Sequence, residues 1–154
     1  MPTTRFNHME LTFPRGTLTP EFRGEVANFY GGVFGWNASD VQVVGQDCLY
    51  LHVDEGQFIL CAEVDNPMQS PSYDHLGLLM DTRAEVDTAL AEIRARAATD
   101  ERIRLKEYED LRMERVTVHA FYVKYLLPIY FDVQCLEYAD STAPPNRWVF
   151  QRGN

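Results

Sequence analysis

Phe6, Met9, Leu11 and Phe13 are spread among polar neighbours, the pattern of a strand with one buried face. Pro14-Arg15-Gly16 closes that run, and Thr19-Pro20-Glu21 opens a helix. The threonine oxygen can cap it, and a proline at the first helical position gives up no hydrogen bond. Phe22, Val26, Phe29 and Val33 follow at helical spacing and make one apolar face. Gly31, Gly32 and Gly35 end this helix, whereas a phosphate cradle would precede one. Three strand-like runs come next, over residues 41–44, 48–53 and 57–64, with Asp54-Glu55-Gly56 turning the last two into a hairpin. Residues 66–73, with two prolines and two serines, read as a linker.

The pattern then begins again. Residues 74–80 form an apolar strand, and Thr82 with Glu85 makes a capping box. Val86, Leu90, Ile93 and Ala97 supply the inner face of a second helix, and strands are expected over residues 103–108, 116–125 and 129–138. The tail, residues 139–154, shows no element, although Trp148 suggests that it packs on an edge or a partner. Strand, helix and three strands are thus written twice, in modules of about residues 5–65 and 74–138 within a single domain of 154 residues. The expected fold is α+β: two βαβββ modules forming a cupped mixed sheet around a central cavity, because one helix per module leaves a sheet face to line a pocket.

Charge narrows the partners. The formal net charge is −9, without a basic cluster, so neither nucleic acid nor an anionic membrane is an expected partner. A small-molecule ligand is. Cys48, Cys61 and Cys135 are odd in number, lack CxxC spacing and lie in apolar runs, which fits buried thiols in a reducing cytoplasm. The first ten residues have no apolar core of a secretory signal, so a cytoplasmic location is expected.

Four histidines and one carboxylate hold most of the candidate chemistry. His8 and His75 occupy matching places in the opening strand of each module. Their alternate neighbours are apolar, so the period of two turns both imidazoles to the face away from the helix. Glu137 shares a strand face with Val133 and Cys135, and a carboxylate in an apolar row needs a partner such as a cation. Two imidazoles and a carboxylate are the donors of a facial triad with open positions, although a lone strand histidine also suits a structural role. His119 and His52 are acid–base candidates by their near-neutral titration. His119 shares a face with Phe121 and Val123, which equally suits a buried structural residue. His52 with Asp54 reads either as a second metal pair or as a solvated hairpin edge. Tyr50, Tyr122, Tyr125 and Tyr130 lie on strands, and some must face a cavity. No Gly-x-Ser-x-Gly, Walker loop or His-Glu-x-x-His is present.

Phe6-Asn7-His8-Met9-Glu10-Leu11, Asn28 to Trp36, Asp74-His75-Leu76-Gly77-Leu78 and the closing Leu136-Glu137-Tyr138 together resemble the vicinal oxygen chelate superfamily over residues 6 to about 138. This group includes glyoxalase I, extradiol dioxygenases and fosfomycin and bleomycin resistance proteins. The resemblance implies a divalent transition metal (Fe, Mn, Ni or Zn) held by His8, His75 and Glu137, a substrate chelating through adjacent oxygens, and a homodimer. The fourth ligand of glyoxalase-like members aligns with Leu60, with Glu63 nearby, and Tyr125-Leu126-Leu127-Pro128 replaces the usual Asp-Pro-Asp-Gly turn. The alternative is a metal-free binding protein of the bleomycin-resistance kind, marked by a wide cavity at a dimer seam with Glu137 paired to an arginine or water in place of a metal.

Overall fold

The computed structural model describes residue 4 and residues 6–139. The chain divides into two compact units with the boundary between Gln69 and Ser70. Each unit carries one helix and its own hydrogen-bonded sheet. The expected α+β architecture is present, as two sheets and not one continuous sheet. The tail beyond Ala139 lies outside the described residues.

The first unit runs β1 (His8–Phe13), α1 (Pro20–Phe34), β2 (Asn37–Val43), β3 (Gln46–Asp54) and β4 (Gln57–Glu63). Its strand order is β1-β4-β3-β2, with β1 parallel to β4 and the other pairs antiparallel. The Thr19 hydroxyl accepts the Phe22 N–H at 3.2 Å, as the capping signal predicts. Gly35 ends α1 at φ 71°, a left-handed position where a Cβ would be strained. Val26, Phe29 and Tyr30 are buried on α1, and Phe13 of β1 meets Phe22 edge-on at 5.5 Å. Leu11 and Phe13 therefore face the helix, each such side chain contributing ~1.5–3 kcal/mol when fully buried. Strand β2 starts earlier than expected. Asn37 to Asp40 show no apolar alternation, yet their backbones pair with β3, which hydrophobic period cannot reveal.

The second unit runs β5 (His75–Leu79), α2 (Arg83–Ala97), β6 (Arg104–Glu107), β7 (Leu111–Arg112), β8 (Val116–Lys124) and β9 (Tyr130–Tyr138). The order is β5-β9-β8-β6, with β5 parallel to β9, and the short β7, which the sequence pattern did not predict, also pairs with β8. The Thr82–Glu85 capping box is formed in both directions. Val86, Ala89, Leu90 and Ile93 of α2 are buried, as are Phe121, Val123, Phe131, Val133 and Cys135 of the sheet. All three cysteines are free and buried, and burial pushes the Cys61 thiol up to about 12. Among the described residues no helix is long and apolar enough to cross a membrane.

Candidate functional site

Register fixes which side chains share a face. In the second unit His75 lies opposite Tyr130, Gly77 opposite Asp132 and Leu79 opposite Gln134. Asp132 in turn lies opposite Tyr122, and Tyr122 opposite Lys106. Since adjacent strand partners point the same way, His75, Tyr130, Asp132, Gln134, Tyr122 and Lys106 share one face. Helix α2 covers the other.

His75 is held in a defined tautomer. Its Nδ1 is 2.8 Å from the Tyr73 carbonyl oxygen, which can only accept, so Nδ1–H donates and Nε2 is the nitrogen turned toward Asp132. That Nε2 is 3.9 Å from Asp132 Oδ2, beyond a hydrogen bond. Asp132 Oδ1 is buried with no hydrogen-bond partner among the described residues. Burial pushes the Asp132 carboxyl above its ordinary range, with His75 opposing in part. His75 Nε2 and a desolvated carboxylate thus face each other beyond hydrogen-bond distance. The His75 ring also lies 4.9 Å from Tyr122, centroid to centroid. Tyr73, Tyr108 and Tyr130 complete an aromatic cluster around it.

His8 in the first unit shows the same local logic. Its Nδ1 is 2.8 Å from the Asn7 side-chain oxygen, whose amide nitrogen donates to the Gly56 carbonyl. The oxygen can only accept, so Nδ1–H donates and Nε2 is left free. The Cα partner of His8 is Phe58, and the two rings stack at 4.9 Å. Tyr50 stacks on the far side of this aromatic row, 4.4 Å from Phe58.

The remaining sequence candidates are not brought to these histidines. Glu137 and His75 lie on opposite faces of the second sheet and at opposite ends of their parallel strands. The residue opposite His75 is Tyr130, seven positions before Glu137, a rise of roughly 23 Å along the strand. Glu137 faces α2, where Arg83 donates to both its oxygens at 3.0 and 2.6 Å. The cation that its apolar row called for is a guanidinium. His119 belongs to the same cluster: Nδ1 lies 2.9 Å from Asp110 and Nε2 2.8 Å from Asp87. Arg83 also holds Asp110 through both nitrogens of its fork. His119 therefore bridges side chains on the α2 side, away from His75.

In the first unit neither Leu60 nor Glu63 pairs with His8. Leu60 lies opposite Glu10, and Glu63 accepts the Leu18 N–H at 2.6 Å, which holds its carboxyl low. His52 contacts the Ser39 hydroxyl at 2.9 Å. A bulge between His52 and Asp54 breaks the face that the two were expected to share, and Asp54 accepts the Glu55 N–H instead. Tyr125 is drawn off to Asp100 and Arg102. Among the described residues no group of three or more His, Cys, Asp or Glu side chains is arranged to hold a metal ion. His75 and Asp132 are a two-donor set, which a metal would complete with water or ligand oxygens.

Asp132 and Lys106 were missed by sequence reasoning. The signal for Asp132 was present: Phe131, Val133 and Cys135 are the apolar row of β9, so Asp132 and Gln134 must face the other way, with His75. The parity that places Asp132 there excludes Glu137.

No protein-family model matches the chain, and no curated protein sequence does. Solved structures do match. The fosfomycin resistance protein FosX from Listeria monocytogenes aligns with TM-score 0.59 at 16% identity, covering 87% of this chain and 92% of that one. A glyoxylase/bleomycin resistance protein/dioxygenase domain from Frankia sp. EAN1pec aligns with TM-score 0.59 at 13% identity, over 90% and 96%. The oxidase ChaP-H2 aligns with TM-score 0.58 at 12% identity, over 90% and 98%.

Proposed function

Taking as premise the glyoxalase-like, vicinal-oxygen-chelate fold that these likenesses identify, we propose that this chain is a metal-dependent enzyme acting on a small organic molecule with adjacent oxygens. The observation that carries the proposal is the His75–Asp132 pair. His75 Nε2 stands 3.9 Å from Oδ2 of a carboxylate whose other oxygen, Oδ1, is buried without a hydrogen-bond partner among the described residues, and leaving such a charge unpaired costs on the order of several kcal/mol. His75 and Asp132 would be the side chains that hold a divalent ion here. Imidazole and carboxylate donors suit Fe, Mn, Ni or Zn.

A bound metal supplies Lewis acidity, which lowers the pKa of adjacent substrate oxygens and stabilises charge developing on them. The protein's own side chains do the rest. The Tyr73 carbonyl accepts from His75 Nδ1–H and so fixes the ring with Nε2 turned toward Asp132. Tyr122 and Tyr130 wall the face and suit an organic ring. His8 makes the equivalent Nδ1 contact in its own unit, with the Asn7 side-chain oxygen.

Uptake of Fe(II), Mn(II), Ni(II) and Zn(II) by metal-free protein tests this, followed by calorimetry and elemental analysis. One equivalent of a metal bound by the wild type and by Glu137→Gln, and lost in His75→Ala and Asp132→Asn, is the expected result. Uptake of none of the four ions would sink the metal reading. The chain would then be a metal-free ligand-binding protein, the reading to which the Arg83–Glu137 pair points.

A further inference from the structure

We propose that the His75 face of the second sheet is a receptor for a planar aromatic anion, its charged group held by Arg104 and Lys124 and its ring laid on Tyr73, Tyr108 and Tyr122. This names the substrate class of the proposed site and rests on that reading of the face, but the receptor itself needs no metal.

The first observation is one of charge. Arg104 and Lys124 are direct cross-strand partners, and Lys106 stands two residues further along β6 on the same face. Like charges directly opposite in an antiparallel pair are destabilising. Arg15, Arg23, Arg83, Arg94, Arg96 and Arg102 are each paired with a carboxylate. For Arg104, Lys106 and Lys124 no such ion pair is found among the described residues. Burial first and Arg104 second hold the Lys124 ammonium below its ordinary range, with Asp74 offsetting only part of this. In a chain of net charge −9, three cations gathered on one face without carboxylate partners form a local field that an anion would complete.

The second observation is one of shape. Lys106 Nζ lies 4.1 Å from the ring centre of Tyr73 and 4.9 Å from that of Tyr108, and Lys124 Nζ lies 5.5 Å from that of Tyr130. Tyr73 is 5.1 Å from Tyr130 and 6.2 Å from Tyr122, so the rings form one connected surface. Tyr73 remains 46% exposed and Tyr108 43%, which leaves ring area open to stacking. Cations seated over ring faces are held beside the aromatic surface. A ligand with an aromatic ring and an attached carboxylate satisfies both halves together.

The test uses the full chain in excess chelator, so that metal plays no part. Binding of 2-naphthoate, 2-naphthamide and inorganic phosphate is measured by calorimetry and saturation-transfer NMR. The naphthoate is expected to bind at least about tenfold more tightly than the neutral amide and than phosphate. The double variant Arg104→Gln, Lys124→Met is expected to lose the preference for the acid over the amide, while Arg112→Gln retains it. Equal binding of acid and amide by the wild type overturns the anion assignment whatever the variants do. Phosphate binding as tight as naphthoate overturns the aromatic one, and binding of none of the three overturns both. Metal uptake without naphthoate preference sinks this inference alone. Naphthoate preference without metal uptake sinks the metal reading alone.

Discussion

The Nε2 of His75 stands 3.9 Å from one carboxylate oxygen of Asp132, and the other oxygen of Asp132 is buried without a hydrogen-bond partner among the described residues. In the metal-free protein this arrangement is a cost. Asp132→Asn removes the charge at constant shape and is expected to raise metal-free stability by about 1 kcal/mol, read from urea unfolding. The same substitution is expected to abolish the proposed metal uptake. A variant less stable than the wild type without metal would show that the carboxylate is already satisfied.

Arg83 ties α2 to β9 and to the chain before β7 through Glu137, Asp110 and His119. Arg83→Ala strands two carboxylates beside each other and is expected to lower the urea midpoint more than Arg94→Ala, which breaks only one partnership, with Glu107. Both variants are expected to bind metal as the wild type does. Loss of uptake in Arg83→Ala alone would return Glu137 to the site.

Acid sensitivity follows from the same cluster. Hydrogen bonds from Arg83 first and His119 next lower the Asp110 carboxyl from 3.8 to about 2. A depressed folded-state pKa contributes stability above the unfolded value, and that stability is lost as pH falls through the folded one. Asp110 therefore stabilises the fold above about pH 4, and its contribution disappears on acidification toward about pH 2. In acid titrations followed by circular dichroism, Asp110→Asn is expected to be less stable than the wild type at pH 6, with the gap closing near pH 2. A constant gap across that window would show that another group carries the effect.

The β2–β3 hairpin turns through Val44 at φ 51° and Gly45 at φ 76°. Two left-handed residues make the turn that matches strand twist, but a β-branched residue is poorly suited to the first position. Val44 is also fully exposed, so its side chain gains nothing in return. Val44→Asn is expected to stabilise the protein by about 1 kcal/mol, seen as a higher urea midpoint with unchanged slope.

Most of the fold was legible because its signals are local. Thr19 and Thr82 announced both helices through capping chemistry that involves three or four neighbouring residues. The alternation around His8 and His75 gave their strand faces without any long-range contact. What escaped was weakly patterned: Asn37 to Asp40 pair by backbone alone, and Leu111–Arg112 is too short for a period to show. The candidate site was half legible: parity gave the face of His75, but the carboxylate sharing that face is Asp132, whereas Glu137 joins the apolar row that faces the helix.

The sequence by itself determined two strand–helix–strand–strand–strand modules, the helix caps and the faces of the two opening histidines, because each depends on spacing within one element. Tertiary structure alone decided the pairing between elements. Parallel register set Tyr130 and Asp132, not Glu137, beside β5, and a bulge separated His52 from Asp54. It also placed the cations Arg104 and Lys124 opposite one another. Strand register depends on contacts between residues dozens of positions apart, and a shift of one changes which face every side chain occupies.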